Sequence, residues 1–283
     1  MAGFAKRVVL FLLTNLAVVL SVSIILSLLG VQPGGIEGLA VFSLVWGMGG
    51  AFISLQMSRW IAKRATGLQL VNGRTGQQEL DWVYSTVERL ARQANLPMPE
   101  VGVYNSAEVN AFATGPSKSR SLVAVSTGLL RSMRPNEVEG VLAHEVAHIA
   151  NGDMVTMTLL QGVINAFVIF FARIIASMMS RGNERPSYLV IFALEIGLGL
   201  LGSVITAWFS RMREFRADAG GAHLAGRENM VGALRRLMAN RELVDPSHQA
   251  LATMKINGTR GWMMFFSTHP PLEQRIAALE HAR

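Results

Sequence analysis

Two histidines and a glutamate stand at a spacing that suits metal-assisted hydrolysis. His144 and His148 enclose the pattern His-Glu-x-x-His, and Glu145 follows the first histidine directly. On a helix, residues i and i+4 share one face, so both imidazoles are able to reach one ion. Glu145 is then placed to act on a water molecule beside that ion rather than to bind it. The pattern predicts one zinc ion per chain, with Glu145 as the general base.

The residues around this motif favour a buried helix. Asn136, after Pro135, is the expected N-cap, and Asn151-Gly152 is the expected end. Val146 and Ala147, between the glutamate and the second histidine, are uncharged. This pattern is typical of a metal-binding helix that packs behind its ligand face.

The third metal ligand is expected at a distance along the chain. A catalytic zinc takes three protein ligands and keeps one position open. The chain has no cysteine, which excludes thiolate ligands, and Met154 stands where the longer motif has its third histidine. Glu214 is the best candidate ligand. Asp218 lies one helical turn later on the same face and is expected to orient a ligand by a hydrogen bond.

Four apolar stretches indicate a membrane protein. The composition is 51% hydrophobic and only 16% charged, against roughly 25% charged in a typical soluble domain. Residues 8–30 and 38–58 carry no charge, whereas residues 154–180 contain Arg173 and residues 188–210 contain Glu195. Those two charges are expected to face each other or a wet cavity, unless their helices enter lipid only in part. The stretches predict two hydrophobic hairpins.

Basic residues near the first hairpin predict its orientation. The connector at residues 31–37 has no lysine or arginine, but the two outer flanks carry Lys6, Arg7, Arg59, Lys63 and Arg64. Both ends of the hairpin are therefore expected in the cytoplasm. The net charge of +7 is explained better by attraction to a lipid bilayer than by binding to nucleic acid.

The second hairpin gives a reason for a distant ligand. His148 precedes the third apolar stretch and Glu214 follows the fourth, so a membrane hairpin returns the chain to the side that it left. We therefore expect a mainly α membrane protein with four hydrophobic helices and a cytoplasmic, zincin-like α+β metalloprotease domain that contains a small β-sheet.

The predicted domains follow from these stretches. Residues 1–58 form the N-terminal hairpin, and residues 154–210 form the second. Residues 59–153 form one part of the protease, with a helix over residues 77–95, the metal-binding helix, and a hairpin or meander over residues 101–104, 109–113 and 121–126. Residues 211–283 form its other part, with the third ligand, a helix near residues 228–241 and a final helix from Pro271.

Five features resemble the HtpX family of bacterial membrane metalloproteases, which is related to the CAAX prenyl proteases. They are the paired N-terminal apolar stretches and four motifs: Asn-Ala-Phe-Ala-Thr-Gly at 110–115, His-Glu-Val-Ala-His-Ile-Ala-Asn-Gly-Asp at 144–153, Ser-Arg-Met-Arg-Glu-Phe-Arg-Ala-Asp at 210–218, and His-Pro-Pro-Leu-Glu-Gln-Arg at 269–275. The resemblance implies a multi-pass protease of the bacterial inner membrane, active at the cytoplasmic face. It also implies a role in stress response, cleaving misfolded or damaged membrane proteins alongside other quality-control proteases.

The same resemblance implies roles for individual residues. Glu214 is the third ligand, Asn110 lies on a strand beside the substrate, and His269 and Arg275 support the active site. From the residues alone, Asn110, Ala111 and Phe112 form an edge strand able to pair with an extended substrate. By the same reasoning, Arg275 forms an ion pair with Asp218, and His269 belongs to a loop that enters a helix.

Two other functions are compatible with the sequence. A membrane chaperone or scaffold with a structural zinc would need a fourth protein ligand and would have no use for Glu145. A transporter with an accidental motif would explain Arg173 and Glu195 inside apolar stretches. The sequence does not determine the substrate or the oligomeric state.

Overall fold

A computed structural model describes residues 35–180, 186–244 and 268–281 of the chain. The predicted helix at residues 8–30 lies outside this part. By their contacts, the described residues divide into a first unit, within Met1–Ser54 and Met157–Trp208, and a second unit, within Leu55–Thr156 and Phe209–Arg283.

The described residues form helices and four short strands. In chain order they are α1 (Gly35–Thr66), β1 (Gln69–Val71), α2 (Gln78–Gln93), β2 (Glu100–Tyr104), β3 (Ala111–Ser117), β4 (Arg120–Ser126), α3 (Thr127–Ser132), α4 (Pro135–Asn151), α5 (Asp153–Met179), α6 (Tyr188–Ala225), α7 (Arg227–Val244) and α8 (Leu272–His281).

Three of these helices, α1, α5 and α6, are long and apolar enough to cross a membrane. Within the first unit, α1 and α5 approach closely at Gly47, where an added Cβ would collide with the backbone nitrogen of Ala166. Arg173 of α5 donates to Glu195 of α6 at 3.0 Å. Its guanidinium also lies 5.4 Å from the ring centre of Phe42. Of the arrangements expected for the two charges, the structure therefore has the direct pair, which compensates their cost within lipid.

The sheet of the second unit has the order β1-β2-β4-β3. β4 is antiparallel to β3, which confirms a hairpin between these two strands. β4 is parallel to β2, so a meander of all three strands is wrong. β4 is buried along nearly all its length, as is typical of a central strand, and takes a neighbour on each side. Gly115 and Pro116, which fall between the predicted strands at 109–113 and 121–126, lie within β3 at a register shift.

The core of the second unit lies between the sheet and helices α2 and α4. Val87 and Leu90 of α2 pack in one cluster with Val123 of β4 and with Leu142 and Ile149 of α4. All five side chains are fully buried, and burying each contributes about 1.5–3 kcal/mol. The helix predicted over residues 77–95 is thus confirmed, and its apolar face holds α4 in place.

The N-cap of helix α4 lies two residues before the predicted one. Pro135 is the first helical residue, and the N-cap is Arg134, whose N–H donates to the Glu137 carboxylate at 2.7 Å. The fixed φ of proline suits this first position, so Asn136 falls inside the helix. The helix ends, as predicted, at Gly152, which has a left-handed conformation.

Helix α7 packs against α4 at Gly140. A Cβ added to Gly140 would lie 2.5 Å from the carbonyl oxygen of Asn229, which is a backbone atom with little freedom to move. A Cβ added to Gly232, on α7, would have only the flexible Glu137 side chain within reach, at 3.9 Å.

We expect Gly140→Ala to lower the stability of the second unit by about 1–3 kcal/mol, because α4 and α7 must move apart. Gly232→Ala is the matched control, since it adds the same methyl group in open space and favours helix by up to about 1 kcal/mol. Thermal unfolding of the detergent-purified protein, followed by circular dichroism, measures both. Equal unfolding temperatures for the two variants would contradict the close contact.

Candidate metal centre and active site

Two helices bring the candidate ligands together. Helix α4 carries His144 and His148, and α6 carries Glu214. The helices touch at consecutive glycines of α6. A Cβ on Gly220 would lie 2.8 Å from the Ala147 Cβ, and one on Gly221 would lie 3.1 Å from the backbone nitrogen of His144. This close approach lets the Glu214 carboxylate reach the imidazoles.

The three side chains present a compact set of donor atoms. The Nε2 atoms of His144 and His148 are 3.0 Å apart. Glu214 places Oε2 3.6 Å from the first Nε2 and Oε1 3.4 Å from the second. Ligands about 2.0–2.1 Å from a tetrahedral ion stand roughly 3.3 Å from one another, close to these separations. The group is buried and is able to hold a metal ion.

One oxygen of Glu214 supports this interpretation. Oε1 is buried and has no hydrogen bond. The nitrogens near it are His148 Nε2, at 3.4 Å, and Nη2 of Arg213, at 3.7 Å. Oε2 is instead engaged by His269 Nδ1 at 2.9 Å and Arg275 Nη1 at 3.3 Å. A buried carboxylate oxygen without a partner is costly, and a metal ion would satisfy it.

Each histidine is oriented by a carboxylate behind it. His144 Nδ1 lies 2.9 Å from Asp218 Oδ1, and His148 Nδ1 lies 2.6 Å from Asp153 Oδ2. When Nδ1 carries the donated proton, the Nε2 lone pair points toward the shared centre. Asp218 thus takes the position expected from the sequence.

Asp153 was not predicted. It is the first residue of α5 and follows Gly152, where the chain turns back toward the ligand helix. The sequence feature that could have indicated this role is an acidic residue directly after Asn151-Gly152, the predicted end of the metal-binding helix.

Arg275 holds the other side of the cluster. Helix α8 packs on α7 through Ile276 and Leu279. Its Arg275 is buried and donates through Nε to Asp218 Oδ2 at 2.7 Å and through Nη2 to Oδ1 at 2.5 Å. Two hydrogen bonds from one guanidinium to one carboxylate make a strong, well-oriented interaction. Arg275 therefore contacts the groups that position the ligands.

The electrostatics of the cluster favour a cation. Burial alone lowers the pKa of His144, but the hydrogen bonds with Asp218 and Glu214 raise it to about 9. Burial raises the pKa of Glu214, but the neighbouring imidazoles of His144, His148 and His269 hold it well below its usual range. The carboxylates that stabilise a proton on these imidazoles would also stabilise a divalent cation in its place.

A cavity of about 130 Å³ opens beside the donor atoms. It brings together most of the predicted site residues, namely Asn110, Ala111, His144, Glu145, Glu214, His269 and Arg275. Phe112 is not among the lining residues, and its ring lies 5.7 Å from that of Tyr104. The apolar wall was not predicted from the sequence, and it includes Leu129, Val141, Met230 and Leu234.

The Ser126 side chain fixes the strand that borders this cavity. Its Oγ accepts from the N–H groups of Asn110 at 3.1 Å and Leu129 at 3.0 Å, and donates to the Glu108 carbonyl at 2.6 Å. The Ser126 N–H also donates to the Asn110 carbonyl at 2.9 Å. Asn110 is therefore held through both of its backbone polar groups.

Comparisons with known proteins give the family of the chain. Peptidase family M48 matches residues 77–283. Protease HtpX of Idiomarina loihiensis is 53% identical to the chain, over 98% of the chain and 100% of that protein. Protease HtpX of Aeromonas hydrophila is 51% identical, over 97% and 99%. A Protease HtpX homolog of Methylacidiphilum infernorum is also 51% identical, over 97% and 98%.

The fold is also that of a solved structure. The crystal structure of S. mikatae Ste24p matches with a TM-score of 0.62 at 18% identity, over 98% of this chain and 62% of that one. The predicted family resemblance is confirmed by the sequence matches. The chain belongs to peptidase family M48 and is a membrane-bound metalloprotease.

Proposed function

We propose that the chain is a zinc endopeptidase in which His144, His148 and Glu214 bind the ion and Glu145 is the general acid and base. The observation that carries the proposal is the buried triangle of nitrogen and oxygen donors, 3.0–3.6 Å apart. Glu145 lines the cavity beside that triangle. Two imidazoles and one carboxylate are a ligand set of catalytic zinc sites.

Glu145 carries the proton through the proposed reaction. Zinc, when bound, supplies Lewis-acid chemistry that polarises a carbonyl and lowers the pKa of water toward 7. Glu145 accepts a proton from the water that attacks the scissile carbonyl, and returns it to the leaving amine when the C–N bond breaks. His269 and Arg275 keep the Glu214 carboxylate in its orientation by their contacts with Oε2.

The contacts around the triangle support a catalytic site over the structural zinc of a chaperone or scaffold. A structural site would need a fourth protein ligand. Among the described residues the two nearby aspartates are already engaged, Asp153 with His148 and Asp218 with His144 and Arg275. Glu145 would have no function in a closed site.

The position of β3 at an edge of the described sheet supports the proposal that the substrates are proteins of varied sequence. β3 is the last strand of the described sheet on this side, and Asn110 lies where it meets the cavity. In an antiparallel pair of strands, residues that are hydrogen-bonded to the partner strand alternate with residues whose N–H and C=O groups point away from it. Because Asn110 is hydrogen-bonded to Ser126, the N–H and C=O groups of Ala111 and Ala113 point away from β4. A substrate that pairs with these groups is bound through its backbone. Such binding suits misfolded or damaged membrane proteins, cleaved alongside other quality-control proteases.

We place the enzyme in a bacterial inner membrane with both hairpins spanning it and the cleavage site in the cytoplasm. The support is the apolar length of α1, α5 and α6, together with the basic residues that follow the apolar part of α1. The relatives named Protease HtpX are bacterial proteins of nearly the same length.

Glu145→Gln is expected to retain zinc and to lose at least about 100-fold in proteolytic rate, because the amide cannot accept the proton. Zinc content by mass spectrometry and cleavage of an unfolded protein such as β-casein are measured on one preparation. Near-normal cleavage by a variant with its full zinc content would refute the role of Glu145.

Asp153→Asn is expected to weaken zinc binding by about 10–100-fold, because the amide orients His148 less well and supplies no charge. Competition with a fluorescent chelator measures the affinity. Glu139→Gln is the matched control, since Glu139 pairs with Arg89 away from the site at 2.8 Å. If both variants bound zinc equally well, Asp153 would have no orienting function.

The orientation is testable because the chain has no native cysteine. We expect a membrane-impermeant maleimide to label Ile36→Cys, before the apolar part of α1, in spheroplasts. Ser119→Cys, in the β3–β4 turn, should react only after the membrane is permeabilised. The reverse pattern would place the catalytic unit outside the cytoplasm.

A further inference from the structure

Strand β3 joins two different places in the second unit. Its first residue, Ala111, borders the cavity beside Glu145. Its last residue, Ser117, is followed by the turn to β4, whose first residue, Arg120, donates to the Gln56 side chain of α1 at 3.3 Å. One end of the strand therefore lies at the catalytic cavity and the other beside α1.

The part of α1 beside this turn has the features of a membrane boundary. The apolar stretch 38–58 ends here and basic residues begin. Trp60 is 57% exposed, and the Arg64 guanidinium lies 5.8 Å from the centre of its ring. Exposed tryptophan and arginine are typical of the bilayer surface on the cytoplasmic side.

A second contact holds the same end of the sheet at this boundary. Glu100, the first residue of β2, pairs with Arg59 at 3.2 Å and with Lys63 at 2.8 Å. β2 and β4 are parallel, with Glu100 opposite Leu122, so both strands begin near α1. The end of the sheet where β3 finishes is thus held at two points against the part of α1 where the apolar stretch ends.

We propose that β3 guides the juxtamembrane segment of a membrane-protein substrate from the bilayer surface to the cavity and thereby sets a minimum distance from the membrane to the cleaved bond. The inference rests on the proposed endopeptidase function. β3 has 7 residues, so its path is about 20 Å at roughly 3.3 Å per residue. An extended substrate needs about six residues to cover that path.

The backbone of β3 limits where the substrate pairs. Ala111 and Ala113 offer outward polar groups close to the cavity. Further along, the register shifts between Thr114 and Ser117, and Pro116 has no N–H to donate. The substrate is therefore held most firmly near the cleavage site, and the part nearer the membrane follows the strand in an extended form.

If the substrate instead reached the cavity directly along α6, the minimum number of residues between the membrane and the cleaved bond would be different. The apolar stretch of α6 ends at Ser210, and Glu214 follows four residues later, a rise of about 6 Å along the helix. Two extended residues would cover that height. The length of substrate between membrane and cleavage site therefore distinguishes the two routes.

The test uses the full chain in liposomes of phosphatidylethanolamine and phosphatidylglycerol. The substrate has one transmembrane helix followed by tandem copies of a heptapeptide that the enzyme cuts in β-casein, in several registers. Mass spectrometry measures the residues left on the membrane helix. We expect products that keep two to four residues beyond the membrane helix to be at least 10-fold rarer than products that keep eight or more. If the two kinds of product were equally abundant, the proposal would be overturned.

The same repeats without a transmembrane helix separate the two hypotheses. The enzyme should cut every repeat of this soluble substrate, including the first. Failure to cut it would overturn the endopeptidase function, and the route along β3 with it. Uniform cutting of both substrates would overturn only the route.

Ala113→Pro tests the strand itself. Proline removes an outward N–H without removing a bond to β4. We expect at least a 10-fold slower cleavage of the membrane substrate, with unchanged zinc content as the sign of an intact metal centre. A normal rate in this variant would show that substrates do not pair with β3.

Discussion

The second unit buries charged side chains of both signs, and its structure depends on giving each of them a partner of opposite charge. Glu214, Asp218, Asp153 and Arg275 are buried together with the two histidines. An isolated charge in such a place is very unfavourable, and its cost is offset only by close partners. Each aspartate contacts a histidine, and Arg275 contacts both Asp218 and Glu214. The cluster is therefore a unit in which the loss of one member leaves others unpaired.

This requirement connects segments that are far apart in the sequence. The histidines lie on α4, Glu214 and Asp218 on α6, and Arg275 on α8. Their helices meet because small residues permit it, with Gly220 and Gly221 against α4 and Gly140 of α4 against α7. Glu214 lies on the same helix as the apolar residues 188–210. All three candidate metal ligands therefore lie on helices, and none lies on the sheet.

The sequence predicted the chemistry of the site better than the arrangement around it. The spacing of His144, Glu145 and His148 is a local property of one helix, and Glu214 followed from the return of the chain after a hairpin. Asp153 was missed because its contact depends on the direction in which the chain leaves Gly152. The parallel pairing of β2 with β4 was missed because neighbouring strands need not pair with each other. β1 has three residues, too few for a clear alternating pattern.

The absence of cysteine has a consequence beyond the choice of ligands. Metal sites built from thiolates lose their ligands when oxidants convert the sulfur to sulfenic acid or a disulfide. The donors here are imidazole nitrogens and a carboxylate oxygen, which do not take part in that chemistry. A metal ion held by this donor set would therefore not be lost through oxidation of a thiolate ligand.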